Sequence, residues 1–175
     1  ELNTDLVNHT YCHGGYKSFY INDPKRRHIH KATVRDRLLH HAVYRILYQF
    51  FDRTFISNSY SCRNDKGAHK AIYRFHSLAN QVNKNNTRAC WVLKCDIKKF
   101  FASIDHQILL SILKEYIPDK NIIWLLQNIV ESFETTPVAN NGNHPYPSLE
   151  RRGYGLPLGN LTSQLFANIY MNRFD

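Results

Sequence analysis

The alternation of apolar and polar positions splits the chain into short strands near its start and helices over much of the rest. Tyr16–Ile21 reads as a short strand, and Arg26–Ala32 as a basic, alternating return strand. Asn22-Asp23-Pro24-Lys25 between them is turn chemistry, because Asn and Asp tolerate tight turns and Pro presets φ. Together they predict a hairpin carrying Lys17, Lys25, Arg26, Arg27 and Lys31. Leu38, Leu39, Ala42, Val43, Ile46, Leu47, Phe50 and Phe51 then recur at helical spacing, which predicts a helix over 36–51 with these residues inward. A second helix is expected from Ala68 to Val82, with Ala71, Ile72, Phe75, Leu78, Ala79 and Val82 inward. Cys90–Ile97 is short, apolar and β-rich, and reads as a strand running into Asp96. Asp105 has the form of an N-cap, with Ile104 placed to staple against Leu109, and its helix extends to about Tyr116. Another helix starts at Pro118-Asp119 and runs through Val130. Thr135–Arg152 is rich in Pro, Asn and Gly and reads as a loop or irregular hairpin. Gly153, Gly155, Pro157 and Gly159 lead to Asn160, a suitable N-cap for a last helix from Leu161 to about Phe174.

Composition adds a size and a partner class. With 175 residues, 43% of them hydrophobic, the chain can build one compact domain or a large piece of a bigger one. Charged residues at 21% exclude a disordered chain. The 23 Lys and Arg against 14 Asp and Glu leave a net charge of +9, which favours a polyanion such as a phosphate backbone. Cys12, Cys62, Cys90 and Cys95 form no Cys-x-x-Cys pair, so they read as reduced thiols in a cytosolic protein rather than a zinc site. His9, His13, His28, His30, His40 and His41 form no zinc-protease pattern and read mostly as polar surface or phosphate-facing groups. No apolar run reaches roughly 18 residues, so no membrane partner is expected. Both ends, Glu1 and Asp175, read as cut.

Three segments carry candidate chemistry. Asp96 ends the predicted strand, where a carboxylate suits Mg2+, a hard cation that takes oxygen ligands. In nucleotidyl transfer two such ions flank the reacting phosphate. Alone, Asp96 reads better as a helix cap or a surface turn. Gly155-Leu156-Pro157-Leu158-Gly159-Asn160-Leu161-Thr162-Ser163-Gln164 joins a glycine turn to a helix start. Glycines allow close backbone approach, and the first helical turn offers N–H groups to a phosphate. A plain loop leading into a helix has the same pattern. The basic hairpin fits a clamp on triphosphate oxygens, with Arg bidentate and Lys a point charge, or simply a solvated turn.

The order of these segments resembles the fingers and palm of reverse transcriptases over nearly the whole chain. Arg27-His28-Ile29 through Thr33-Val34-Arg35-Asp36-Arg37 is similar to the fingers of bacterial enzymes related to group II intron reverse transcriptases. Lys94-Cys95-Asp96-Ile97-Lys98-Lys99-Phe100-Phe101-Ala102-Ser103-Ile104-Asp105-His106 resembles the family's first catalytic motif. Gly155–Gln164, followed by Ala167-Asn168-Ile169-Tyr170, resembles the next palm motif. The resemblance implies an α+β fold: helix-rich fingers (about 1–88 and 109–157) and an incomplete palm (about 89–108 and 158–175) of a right-hand polymerase. It implies Asp96 as the catalytic, metal-binding aspartate, and the Ile97 carbonyl as a second ligand, for Mg2+ or Mn2+. Arg27, with Lys17 or Lys25, would contact the dNTP triphosphate. Phe101 would exclude a 2′-hydroxyl, and Leu158 and Gly159 would pack near the nascent base pair. Ser163, Gln164 and Asn168 would lie near template and primer. The implied partners are an RNA template, a DNA primer and dNTPs, in the cytoplasm of a bacterium or archaeon or from a phage.

Two departures refine this picture. Many reverse transcriptases have Gln where this chain has Leu158, and Pro where it has Gln164. The variant is similar to diversity-generating retroelements, with group II intron, retron and defence-associated enzymes, or a non-catalytic nucleic-acid-binding remnant, as alternatives. The family's Tyr-x-Asp-Asp tetrapeptide does not occur in the 175 residues. Asp105 reads as a cap and Asp175 as the end of a helix, so neither replaces its second aspartate. The expectation is a truncated domain that does not polymerise alone. It should self-associate through the exposed edge of Cys90–Ile97.

Overall fold

The computed structural model describes residues 1–135 and 153–175. All of the predicted loop Thr135–Arg152 except Thr135 lies outside the described residues. The fold is α+β, with seven helices and one two-stranded sheet among the described residues. The order is α1 (Leu2–Val7), β1 (Lys17–Ile21), β2 (Arg27–Lys31), α2 (Val34–Phe51), α3 (Ala68–Val82), α4 (Phe100–Ser103), α5 (His106–Tyr116), α6 (Lys120–Glu131) and α7 (Leu161–Met171).

Side-chain caps set where several helices start. Thr33 accepts from the Asp36 amide, so α2 begins before the Arg-Asp-Arg run rather than at Asp36. Asp105 accepts from the amides of Gln107 and Ile108, and Asp119 from those of Asn121 and Ile122, each satisfying donors that have no partner within the helix. Ile104 and Leu109, the expected staple pair, are both fully buried. Two helices are too short for periodicity to find. One is α1, and the other is α4, a single turn that starts from Lys99 in the left-handed region at φ +54°.

The core forms where α2 packs on α7, and α5 packs on both α6 and α7. Leu39, Val43, Leu47 and Phe51 of α2 meet Leu165, Phe166 and Ile169 of α7. Leu109, Leu113, Leu126, Ile129 and Val130 fill the α5–α6 side.

Several sequence readings are corrected. In α2 the buried stripe is Asp36, Leu39, His40, Val43, Leu47, Tyr48 and Phe51, while Leu38, Ile46 and Phe50 are exposed. Hydrophobicity alone set the stripe's phase wrongly, because two polar residues with dedicated hydrogen bonds lie inside it. His40, read as a surface histidine, is among them. The expected inward face of α3 is largely uncovered among the described residues: the helix has no buried residue, Ala71 and Ala79 are half-buried, and Ile72, Phe75 and Val82 are exposed. Cys90–Ile97 is not a strand. Among the described residues the only sheet is β1–β2, so this segment has no neighbour to take up its backbone hydrogen bonds, and Trp91 is 98% exposed. Finally, α7 ends at Met171, and the Asn160 side chain caps nothing.

Candidate nucleotide-binding site

The site begins at the outer edge of β2 in the hairpin. β1 and β2 pair antiparallel, with Lys17 opposite Lys31, Phe19 opposite Ile29 and Ile21 opposite Arg27. Side chains alternate across a strand, so Lys17, Arg27 and Lys31 share one face with Ile29. Ser18, Tyr20, His28 and His30 take the other. The outer edge of β2 is closed by the turn at 158–160: the His30 amide donates to the Leu158 carbonyl (2.8 Å), and Asn160 Nδ2 donates to the His30 carbonyl (2.7 Å). Asn160 thus occupies the N-cap position of α7, as read from the sequence, but its side chain is engaged by His30 and makes no capping bond. Gly159 sits at φ +103°, and a Cβ there would lie 2.6 Å from Ile29 Cγ2. Glycine is therefore needed twice over, for its backbone angle and for the space that Ile29 occupies.

A second junction joins the Phe101 segment to the same turn. Leu156 N donates to Phe101 O (2.7 Å), Gly155 N to Ile104 O (2.8 Å) and His106 N to Gly153 O (3.1 Å). His106 is buried, and its Nε2 donates to Gly155 O at 2.6 Å. A Cβ on Gly153 would come within 2.5 Å of His106 Nδ1. The glycines of this run therefore admit the protein's own side chains, where the sequence pattern suggested close approach to a ligand.

A buried polar network holds the hairpin's root and α7 in register. Asp36 is fully buried and accepts from Tyr11 Oη (2.8 Å), Thr33 Oγ1 (2.6 Å) and the Gly14 amide (3.1 Å). Burial pushes its carboxyl pKa up. The hydrogen bonds from Thr33 and Tyr11 and the nearby His13 outweigh this and hold it below the usual carboxylate range. His13 Nδ1 lies 2.6 Å from the Gly14 carbonyl, which requires a proton on that nitrogen. His13 Nε2 then accepts from His40 Nε2 (3.1 Å), and His40 Nδ1 accepts from Thr162 Oγ1 (3.1 Å) in α7. Burial, with His13 second, pulls the His40 pKa down to about 4, so the ring is neutral. Tyr16 Oη reaches Ser132 Oγ at 2.7 Å, and burial pushes its pKa up to about 12.

The predicted site residues divide into those the fold gathers and those it leaves apart. Arg27 and Lys17 lie on the hairpin face beside Gly159, Lys25 lies in its turn, and all three are exposed. Phe101 is half-buried and bonded through its carbonyl to the stretch that leads to Leu158 and Gly159. Ser163 is buried in α7. Gln164 Oε1 accepts from Cys62 Sγ, and Asn168 Nδ2 donates to Ser61 O (2.9 Å), so both hold the 57–66 loop. Asp96 and Ile97 lie apart, on an exposed segment. A carboxylate and a carbonyl are oxygen donors of the kind Mg2+ takes, and they would form part of a ligand set that waters and substrate phosphates complete. Among the described residues no group of three His, Cys, Asp or Glu is placed to hold a metal.

The family profile described as "Reverse transcriptase (RNA-dependent DNA polymerase)" matches residues 21–175. The chain belongs to the reverse transcriptase family. A COX1/OXI3 intron 1 protein of Saccharomyces cerevisiae is 27% identical over 159 residues, which cover 89% of this chain and 17% of that protein. The Group II intron-encoded protein LtrA of Lactococcus lactis subsp. cremoris is 25% identical over 97% of this chain and 26% of its own length. Protein YkfC of Escherichia coli is 24% identical over 86% of this chain and 37% of its own length. This reverse transcriptase domain thus spans well under half the length of these relatives. No helix among the described residues is long and apolar enough to cross a membrane.

Sequence reasoning missed four residues that build the domain's site: Asp36, His40, His106 and Asn160. For Asp36 a local signal existed, since Thr33-x-x-Asp36 has the spacing of a reciprocal helix cap. For His40, His106 and Asn160 the partners lie at Thr162, Gly155 and His30, and local pattern carries no trace of them.

Proposed function

We propose that this chain is the nucleotide- and template-facing part of an RNA-directed DNA polymerase, which joins a dNTP to a primer 3′-hydroxyl on an RNA template. The observation that carries the reading is the docking of the basic hairpin on the Leu158–Asn160 turn, beside the segment that holds Phe101. On this reading Arg27 grips the triphosphate bidentately, with Lys17 or Lys25 adding point charge. The Phe101 ring stands against the sugar and excludes a 2′-hydroxyl. Leu158 and Gly159 present a smooth backbone to the nascent base pair, while Ser163, Gln164 and Asn168 brace the template and primer side. Asp96, with the Ile97 carbonyl, would supply oxygen ligands to Mg2+ or Mn2+, and this chain alone does not extend a primer. The protein acts in the cytoplasm. The intron-encoded relatives support a group II intron-type lineage, and none of them supports the diversity-generating subgroup suggested by Leu158 and Gln164.

The test is primer extension on an RNA template by the gene product that carries this chain, with dNTPs and Mg2+. Asp96→Ala should abolish extension, and Arg27→Ala should raise the KM for dNTP at least tenfold. Phe101→Ala should admit ribonucleotides. Undiminished extension by Asp96→Ala would remove that residue from the reaction. A second reading, a nucleic-acid-binding module without catalysis, is favoured by the exposed position of Asp96 and by the lack, among the described residues, of a group of three His, Cys, Asp or Glu placed to hold a metal. It predicts RNA binding with no extension by the wild-type gene product.

Self-association is also part of the proposal. Ile72, Phe75 and Val82 of α3 and Trp91-Val92-Leu93 are exposed apolar residues of the kind a second copy would cover. Sedimentation should show a concentration-dependent dimer, and a clean monomer at all concentrations would refute it.

A further inference from the structure

A cleft of about 310 Å3 opens at the corner between α5 and α6. It shares no residue with the hairpin site. It is lined by the apolar residues Ile117, Pro118 and Ile123, by Trp124, and by Lys114, Lys120 and Gln127. Both lysines are exposed, and among the described residues the lining contains no acidic residue. The His9 ring lies 4.6 Å from the Trp124 ring, so the indole is held in place by a neighbour from outside the two helices. Gln127 donates through Nε2 to Glu131 (2.9 Å), which fixes its amide.

We propose that this cleft is a second binding site for single-stranded RNA, in which one base stacks on Trp124 and the flanking phosphates meet Lys114 and Lys120. The size lies at the lower end of small-ligand pockets, about 300–1,000 Å3. An aromatic ring and two cations in one cleft are the combination that binds single strands without regard to sequence, because every base has a π-face. The Gln127 amide adds a polar contact for a base edge. An acidic peptide would satisfy the two ammonium groups, but it would leave the indole and the apolar lining uncovered. The charge of the whole chain, +9, has the sign this ligand needs. The inference does not depend on Asp96, Arg27 or the polymerase reaction.

The experiment uses the 175-residue chain with Trp91→Phe, so that Trp124 is the one remaining fluorophore of its kind. Octauridylate is titrated at several salt concentrations. Saturable quenching of Trp124 is expected. The Lys114→Gln/Lys120→Gln variant should bind about tenfold more weakly at low salt. Its slope of log affinity against log salt should fall by about 1.4, from ~0.7 for each phosphate contact on a single strand. A control with the same charge change, Lys70→Gln/Lys84→Gln, should alter affinity less than twofold. Both lysine pairs are exposed, so neither variant should disturb folding. Equal weakening by the two pairs would reduce the effect to net charge and overturn the site. Absence of quenching would overturn it too, as would equal binding of an oligoglutamate of matched charge, which would instead indicate an acidic protein partner. Arg27→Ala should leave the quenching intact, so failure of the polymerase reading and failure of this one are separately visible.

Discussion

His40 makes the stability of this domain depend on pH over a window that runs from the ordinary histidine value, about 6.5, down to about 4. Its ring is buried and neutral, accepting from Thr162 and donating to His13. Unfolded, a histidine takes up a proton near 6.5. Folded, burial delays that uptake to about 4. The unfolded state therefore binds more protons throughout this window, and stability must fall as the pH falls through it. The group's full contribution is present above about pH 6.5, declines toward about pH 4 and is gone below. A span of about 2.5 pH units at ~1.36 kcal/mol each gives a loss of about 3 kcal/mol, a large share of the ~5–15 kcal/mol that holds a domain together. Asp36 acts lower, since its depressed pKa is felt only as the pH falls below the ordinary carboxylate value. The assay is urea unfolding from pH 7.5 to 4, comparing wild type with His40→Gln, which keeps an amide donor and acceptor but does not titrate. Wild type should lose about 1.4 kcal/mol per pH unit near pH 5, the value for one proton. His40→Gln should be less stable at pH 7.5 and should lose close to that slope. An unchanged slope in the variant would show that His40 is not the group that titrates.

Asp36→Ala removes an ionised acceptor from Tyr11, Thr33 and Gly14, and should cost about 3–5 kcal/mol in chemical unfolding at pH 7, with the largest hydrogen-exchange loss at the Gly14 amide. Gly159→Ala meets Ile29 at a backbone angle that disfavours a side chain, so it should cost about 1–3 kcal/mol and release the His30 amide to exchange while the α5–α6 core stays protected. Asp105→Ala should lower stability by about 1 kcal/mol through loss of the α5 cap, and Asp105→Asn should restore most of it. Replacing Ile72 and Phe75 with Glu should abolish any dimer seen in sedimentation without lowering the melting temperature, because neither side chain is buried.

The residues that were legible from sequence are those whose partners lie within one turn of chain. The hairpin needed only alternation and the Asn-Asp-Pro turn. The α5 and α6 starts needed only an Asp followed by a helical run, and α3 was found with its observed bounds because its amphipathic period is strong. The same period misled about burial, since amphipathicity records which face is apolar, not whether anything lies against it. Cys90–Ile97 failed for a related reason: a β-rich composition describes a strand's readiness to pair, whereas a strand exists only with a neighbour. In the candidate site, Arg27 and the Leu158–Gly159 turn were each recognisable alone. Their contact depends on a bond from His30 to Leu158, far apart in the chain, which no local pattern encodes.

The junction at His106 and Gly155 has a further meaning for the architecture. These residues are 49 positions apart in sequence and 2.6 Å apart in space, so α5 and α6 form a closed excursion that leaves and returns through one gate. The helical part of this excursion is not free, because Leu109, Leu113, Leu126, Ile129 and Val130 are core residues and α5 also packs on α7. A packing change in α5 is therefore felt in α7, and through it at the Leu158 turn from which α7 starts.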